Sequence, residues 1–267
     1  MRSTWVLYLK EIKALFSSWI AYVVLITFTL VSGITFYVTM QMFIILTSYS
    51  SKVEEGVSRQ GWNLLDNLIS PLYDLVFILL FLIVPAITMR LFAEEKKMRT
   101  EELLLTSPLR VGEIVVAKYL AATTLILIML ASFAIFPAIV IYYGKPTPDW
   151  GPILTGYMAL FWIGFSLAAI GLFASSLTEN QIVAFVITVA MEMLLLITSQ
   201  AAVAVGAIKL GGVVINMGNV IRAFSINDHF MPLLLGVIRL SDVFYFLTLI
   251  AFMLWATRQS LESTRWG

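Results

Sequence analysis

Six long apolar runs, separated by shorter polar stretches, organise this chain. They extend from about Trp19 to Met42, Leu72 to Phe92, Ile114 to Tyr142, Ile153 to Leu177, Ile182 to Val205 and Asp242 to Thr257. Each approaches the ~20 residues that a helix needs to cross a bilayer. In lipid, only helices and closed barrels satisfy their own backbone groups, so the pattern predicts six transmembrane helices. Ahead of the first run the period is different. Trp5, Leu9, Ile12, Phe16 and Trp19 recur at helical spacing, with Lys10, Lys13 and Ser17 on another face. This predicts an amphipathic helix over residues 1–18 lying at the membrane surface. Lys10, Glu11 and Lys13 would be costly inside lipid.

The segment 206–240 is too apolar for a plain loop. It is broken by Gly211-Gly212, Gly218, Asn227-Asp228, Pro232 and Gly236. Two short re-entrant helices between spans five and six account for the pattern, provided protein or a wet cavity covers them. Asn227 or Asp228 is the expected cap of the second, and Ser241 that of the last span. Pro85 and Pro137 are expected to kink spans two and three. Gly164, Ala168, Gly171 and Ser175 form a small-residue stripe on span four, which favours close helix packing.

Composition agrees with the pattern. The 267 residues are 60% hydrophobic and 12% charged, with mean hydropathy +0.95. No soluble domain of this size buries so much apolar surface. There are no cysteines, which excludes disulfides and thiolate chemistry. The distribution of charge is more informative than the net charge of +1. The N-terminal segment carries three Lys and Arg, the stretch Arg90 to Lys118 six, the fourth loop none and the C-terminal segment two. The opposite set of loops carries six, three of them in the long fifth loop. The excess predicts that both termini and the second loop are cytoplasmic.

Several chemistries are excluded. No Gly-x-x-x-x-Gly-Lys-Ser/Thr phosphate loop is present, so the chain lacks that ATP-binding motif. No metal or catalytic cluster is expected, and the single histidine, His229, reads as a polar surface residue. The charged loop 93–113 is the first functional candidate. Glu101-Glu102-Leu103-Leu104-Leu105 places three adjacent leucines where water is expected, and Thr106-Ser107-Pro108 breaks the segment. Exposed leucines need a cover: a partner protein, the membrane surface or the chain's own bundle. The second candidate is Glu192 in span five, which shares a helical face with Gln181, Thr188 and Ser199. It reads either as a pathway or dimer-interface residue or as a protonated, structurally bonded carboxyl. Ser32, Thr35 and Thr39 on span one are weaker pathway candidates.

The order of elements resembles the ABC-2 type permeases, the membrane subunits of certain ATP-binding-cassette transporters. The resemblance rests on Phe92-Ala93-Glu94-Glu95-Lys96, Thr100-Glu101-Glu102-Leu103-Leu104, Ser107-Pro108 and Lys118. Towards the C-terminus it rests on His229-Phe230, Gly236-Val237-Ile238, Asp242-Val243, Tyr245, Ser260-Leu261-Glu262 and Arg265-Trp266. That end looks most like permeases associated with gliding motility and with nitrous oxide reductase maturation. The resemblance implies a single transmembrane domain over 1–267 that is not itself an enzyme. It implies a second permease copy or a homologous permease, and a separate cytoplasmic ABC ATPase that holds ATP and magnesium; this chain needs no cofactor. The location implied is a bacterial or archaeal inner membrane. Residues 1–18 and the loop holding Glu94, Glu95, Lys96, Arg99, Thr100, Glu101, Glu102, Leu103 and Leu104 would form the docking surface for that ATPase. The expected activity is export of a lipid-like, amphiphilic or polymeric substrate. The alternative is a force-transmitting or anchoring subunit that passes motion to an external partner protein. No nucleic-acid role is expected.

Overall fold

The computed structural model describes residues 2–50, 65–100, 110–144, 148–205, 208–210, 213–215 and 217–266. Helix α1 (Arg2–Ser17) is followed by α2 (Trp19–Ser50), a π-helical turn (Leu65–Ile69), α3 (Ser70–Thr88), α4 (Ala93–Lys97), α5 (Val111–Phe133) and α6 (Ile135–Tyr143). Then come α7 (Trp150–Ser176), α8 (Gln181–Val205), strands β1 (Ile208–Leu210) and β2 (Val213–Ile215), α9 (Met217–Arg222), α10 (Ile226–Leu234) and α11 (Leu240–Trp266). Six stretches are long and apolar enough to cross a membrane: Trp19–Ser48, Leu65–Lys97, Val111–Tyr143, Trp150–Ser176, Gln181–Val205 and Leu240–Ser263. The all-helical, six-span architecture expected from the apolar runs is the one observed.

Helix α7 is the centre of the bundle. It packs against α3, α5, α8, α10 and α11. Its small residues make that possible, because without a hydrophobic drive between helices in lipid, association rests on close van der Waals fit. A Cβ on Gly171 would lie 1.9 Å from the Thr88 hydroxyl, one on Gly164 2.8 Å from Ile126, and one on Gly156 2.5 Å from the Tyr73 ring. The stripe therefore faces two neighbours, α3 and α5. Tyr73 also donates a 2.8 Å hydrogen bond to the Ile153 carbonyl. The outer helices are less covered: α2 exposes Ile26, Leu30, Ile34 and Tyr37, and α8 exposes Ile182, Val186, Leu194 and Ile197.

The two prolines act differently. Pro137 lacks the N–H that would bond to Phe133, and its ring crowds that carbonyl. The third span accordingly breaks at Ala134 into α5 and α6. Pro85 sits inside α3, which ends at Thr88 and continues through a four-residue turn into α4.

The segment between spans five and six departs from the expected pair of helices. The two short helices are present as α9 and α10, but an antiparallel ribbon precedes them, with Ile208 opposite Ile215 and Leu210 opposite Val213. Ser225, rather than Asn227 or Asp228, caps α10: its hydroxyl accepts from the Asp228 amide at 3.3 Å. His229 is not a free surface group. It bonds through Nδ1 to Asp242 of α11 at 2.7 Å and stacks on Tyr245 at 4.1 Å, tying α10 to α11. The first loop, with Glu54, Glu55, Arg59 and Trp62, lies outside the described residues.

The glycine contacts give a test. Gly171→Ala should destabilise the protein by about 1–3 kcal/mol through overpacking. Gly112→Ala meets nothing nearer than Arg258 Cδ at 4.0 Å, and should be neutral or stabilising by up to ~1 kcal/mol. Thermal unfolding midpoints in nanodiscs, compared for the two variants, check this.

Candidate functional site

Helices α1, α4, α5, α7 and α11 meet at one end of the bundle. The charged residues in this region are organised around Lys118. Its ammonium lies 3.2 Å from Glu11 Oε1 of α1 and 2.9 Å from Glu95 Oε1 of α4. The Lys118 side chain is 1% exposed, and the two carboxylates 9% and 15%. The Phe92 ring lies 5.2 Å from the ammonium, within cation–π range. One buried cation thus joins the N-terminal helix, the short helix after span two and the start of span three. In such surroundings a charge is tolerated only when paired and hydrogen-bonded.

Helix α1 reaches this position by an unexpected face. Leu7 and Glu11 are buried, whereas Trp5 at 61% exposure, and Trp19 at 77% at the start of α2, remain uncovered by protein. The predicted apolar stripe is therefore split: Trp5 and Leu9 are exposed, Ile12 and Phe16 are half-buried with Phe16 packed on the core, and the face holding Leu7 and Glu11 fastens α1 to α5. Tyr8 adds a 3.0 Å hydroxyl contact with Thr124. Glu11, which the sequence marks as a water-facing charge, is part of an internal ion cluster instead.

Helix α4 has only five residues, so both its ends need outside help. At its start, the Ser175 hydroxyl of α7 accepts from the Phe92 and Ala93 amides at 3.0 and 3.1 Å, and donates to the Met89 carbonyl at 3.0 Å. At its end, Arg99 adopts the left-handed conformation with φ 55°. The Arg99 amide bonds to the Lys96 carbonyl, and the Thr100 amide to that of Glu95, each at 3.0 Å. This is the Schellman closure, normally made by glycine. It turns the chain sharply where the charged loop begins.

The remaining charges fasten the same junction. Arg90 donates to Glu94 at 3.2 Å and to the Ser18 hydroxyl at 3.3 Å. Lys96 donates to the Ser176 carbonyl at 2.7 Å, and Ser260 of α11 donates to the same carbonyl at 3.3 Å. Between α1 and the region of α4 runs an open cleft of about 370 Å³, lined by Lys10, Glu11, Ser18, Arg90, Glu94 and Glu95 among others. Its walls carry both signs of charge. Lys97, Met98 and Arg99 at the end of α4 are exposed.

The expected coupling residues thus divide. Glu94, Glu95, Lys96 and Thr100 make internal bonds, while Arg99 points outward at the turn. Glu101, Glu102, Leu103 and Leu104 lie outside the described residues. The second expected group is not one cluster. Thr188 and Glu192 are buried on α8, with Gln181 and Ser199 half-buried on the same helix. Thr35 and Thr39 are half-buried on α2, and Thr39 bonds back to the Thr35 carbonyl at 2.9 Å. No hydrogen bond joins the two helices through these residues.

A protein-family model described as ABC-2 family transporter protein matches residues 5–258, from α1 into α11. A search of curated proteins finds no match.

The triad makes a sharp prediction. Lys118→Met leaves two buried carboxylates without their cation and should cost about 3–5 kcal/mol. Combining it with Glu11→Gln and Glu95→Gln should recover most of that loss. Thermal unfolding of the single and triple variants reads both effects. A single variant as stable as the wild type contradicts the assigned role.

Proposed function

The chain belongs to the ABC-2 family of transporter proteins, and on that premise we propose that it is a permease subunit driven by a separate cytoplasmic ABC ATPase. The observation that carries this reading is the Lys118 triad. A push on α1 or on α4 cannot stay local, because both elements are ion-paired to one side chain on the third span. Ser175 and Lys96 link the same push to α7, the centre of the bundle. The exposed end of α4 and the cleft beside α1 are where the ATPase would dock. ATP and magnesium belong to that partner, since this chain has no phosphate-loop motif.

The proposed assembly is a dimer of permeases, identical or homologous, in a bacterial or archaeal inner membrane with both termini cytoplasmic. The uncovered faces of α2 and α8 are the surfaces available to a second copy or to lipid. Nucleotide-driven closure of the ATPases shifts the permeases between two arrangements, as any such coupling requires. Export of a lipid-like, amphiphilic or polymeric molecule fits the apolar surroundings best.

The test is co-purification with a cytoplasmic ABC ATPase from the same organism, followed by nucleotide hydrolysis in nanodiscs. Lys97→Glu combined with Arg99→Glu should weaken assembly by about tenfold or more through lost charge complementarity, with unfolding unchanged because both side chains are exposed. A wild-type chain that folds but binds no ATPase contradicts the permease reading.

A further inference from the structure

The cleft between α1 and the region of α4 carries opposite charge at its two ends. Its inner end is the Lys118 cluster, where one ammonium meets two carboxylates, Glu11 and Glu95. Among the described residues neither carboxylate has a second ion-pair partner. The inner end therefore holds one more carboxylate than it has cations, in a place largely shielded from water. The outer rim has the reverse balance. Arg90 and Glu94 offset each other there, and Lys10 adds an exposed ammonium with no ion pair among the described residues. Arg90 uses one N–H on Glu94 and another on the Ser18 hydroxyl, of the five that a guanidinium offers. The remaining donors are available to an acceptor in the cleft.

The position of the cleft indicates what could enter it. Ser18 lines the cleft, and the next residue, Trp19, opens the first span with its side chain exposed. An uncovered tryptophan at the end of a span sits at the level of the lipid headgroups. The cleft therefore opens at headgroup depth, and Leu15, Leu91 and Met98 give it apolar wall. Its volume of about 370 Å³ is in the range of small-ligand sites. A bare metal cation fits poorly, because it needs several oxygen ligands and no such cluster exists among the described residues. A purely anionic headgroup would leave the surplus carboxylate unanswered. A quaternary ammonium would answer its charge but brings no N–H to bond the oxygens.

We infer that this cleft binds a lipid with a zwitterionic, primary-ammonium headgroup, of which phosphoethanolamine is the type. The ammonium points inward to Glu11 and Glu95, and the phosphate outward to Arg90 and Lys10. A primary ammonium supplies three N–H donors and the positive charge that the inner end lacks. Phosphate is the natural acceptor for the free donors of a guanidinium. Basic pockets beside spans at the membrane surface hold headgroups in the same way; here the added carboxylates select for the amine. The headgroup bridges α1 to the end of α3 and to α4, so binding ties the N-terminal helix more firmly to the bundle. It fills the inner cleft and leaves the exposed end of α4 to a partner. The inference therefore does not rest on the ATPase reading.

The test uses the full chain, purified alone in detergent, with phosphatidylethanolamine, phosphatidylglycerol or phosphatidylcholine of one acyl composition added. Native mass spectrometry reads the lipid retained, and thermal unfolding reads the stabilisation that binding to the folded state brings. Wild type should retain the ethanolamine lipid over the other two by about threefold or more, the scale of a partly exposed charge pair, and should unfold at a higher temperature with it. Glu11→Gln removes the surplus carboxylate and leaves Lys118 paired with Glu95, so the preference over phosphatidylglycerol should vanish. Lys10→Gln, at an exposed position, should weaken retention of both phosphate-bearing lipids alike. Equal retention of the three lipids by wild type overturns the site. So does a preference that survives in Glu11→Gln, or retention that Lys10→Gln leaves unchanged. Soluble phosphoethanolamine that binds as tightly as the lipid overturns the lipid as its source. No ATPase is present, so none of these outcomes bears on the ATPase reading.

Discussion

A single positive charge shared between two carboxylates sets the geometry where α1, α4 and α5 meet. Lys118 is almost entirely buried, and one ammonium cannot fully neutralise both Glu11 and Glu95. Neither carboxylate can leave without weakening the environment of the other two groups, because the ammonium is buried and both carboxylates are largely so. The cost of disrupting the cluster is therefore distributed over α1, α4 and α5 together. Phe92 closes the apolar side of the ammonium, so the cluster is anchored to the turn after span two as well as to the helices. An N-terminal helix that would otherwise float on its apolar stripe is held at a fixed position.

Beyond that junction, the bundle depends on how closely α7 is approached. Lipid chains offer an apolar side chain much the same surroundings as another helix, so burial alone does not select partners. Selection comes from fit. Gly156, Gly164 and Gly171 admit Tyr73, Ile126 and Thr88 into space that any Cβ would fill. The Thr88 hydroxyl, bonded to the Val84 carbonyl at 2.9 Å, keeps its own helix satisfied while it rests on Gly171. Helices α3 and α5 are thus fixed by contact and α11 by its long run beside α7, while α8 buries Ala184, Thr188, Glu192 and Ala202 and packs Met191, Leu195 and Leu196 against the core.

The parts legible in the sequence are those governed by local rules. Bilayer thickness sets span length, so the six helices follow from apolar runs. The period of Trp5, Leu9 and Phe16 gave a separate first helix, although the side that binds protein is the Leu7 and Glu11 side. The break at Pro137 follows from its missing donor. Other features depended on partners far along the chain. Lys118 to Glu11 spans more than a hundred residues, and nothing in the neighbourhood of either marks the pairing. Ser175 read as one small residue in a packing stripe, yet its hydroxyl is the cap of a helix some 80 residues earlier. His229 had no ligand cluster nearby in sequence, and its partner Asp242 belongs to the next span. The ribbon, by contrast, carries a local sign: Ile208-Lys209-Leu210 and Val213-Val214-Ile215 flank a Gly-Gly pair, a recognised hairpin pattern.

The Ser175 cap also bears on how the protein is made. The amides of Phe92 and Ala93 end the second span, and their acceptor is a hydroxyl that lies 83 and 82 residues further along the chain. Synthesis runs from the N-terminus, so spans two and three are complete before that hydroxyl exists. During this interval the start of α4 has no protein acceptor for these two donors, and water at the membrane surface must supply one. The arrival of span four replaces that water. The turn after span two therefore reaches its final shape late, as a consequence of bundle assembly and not as a step towards it.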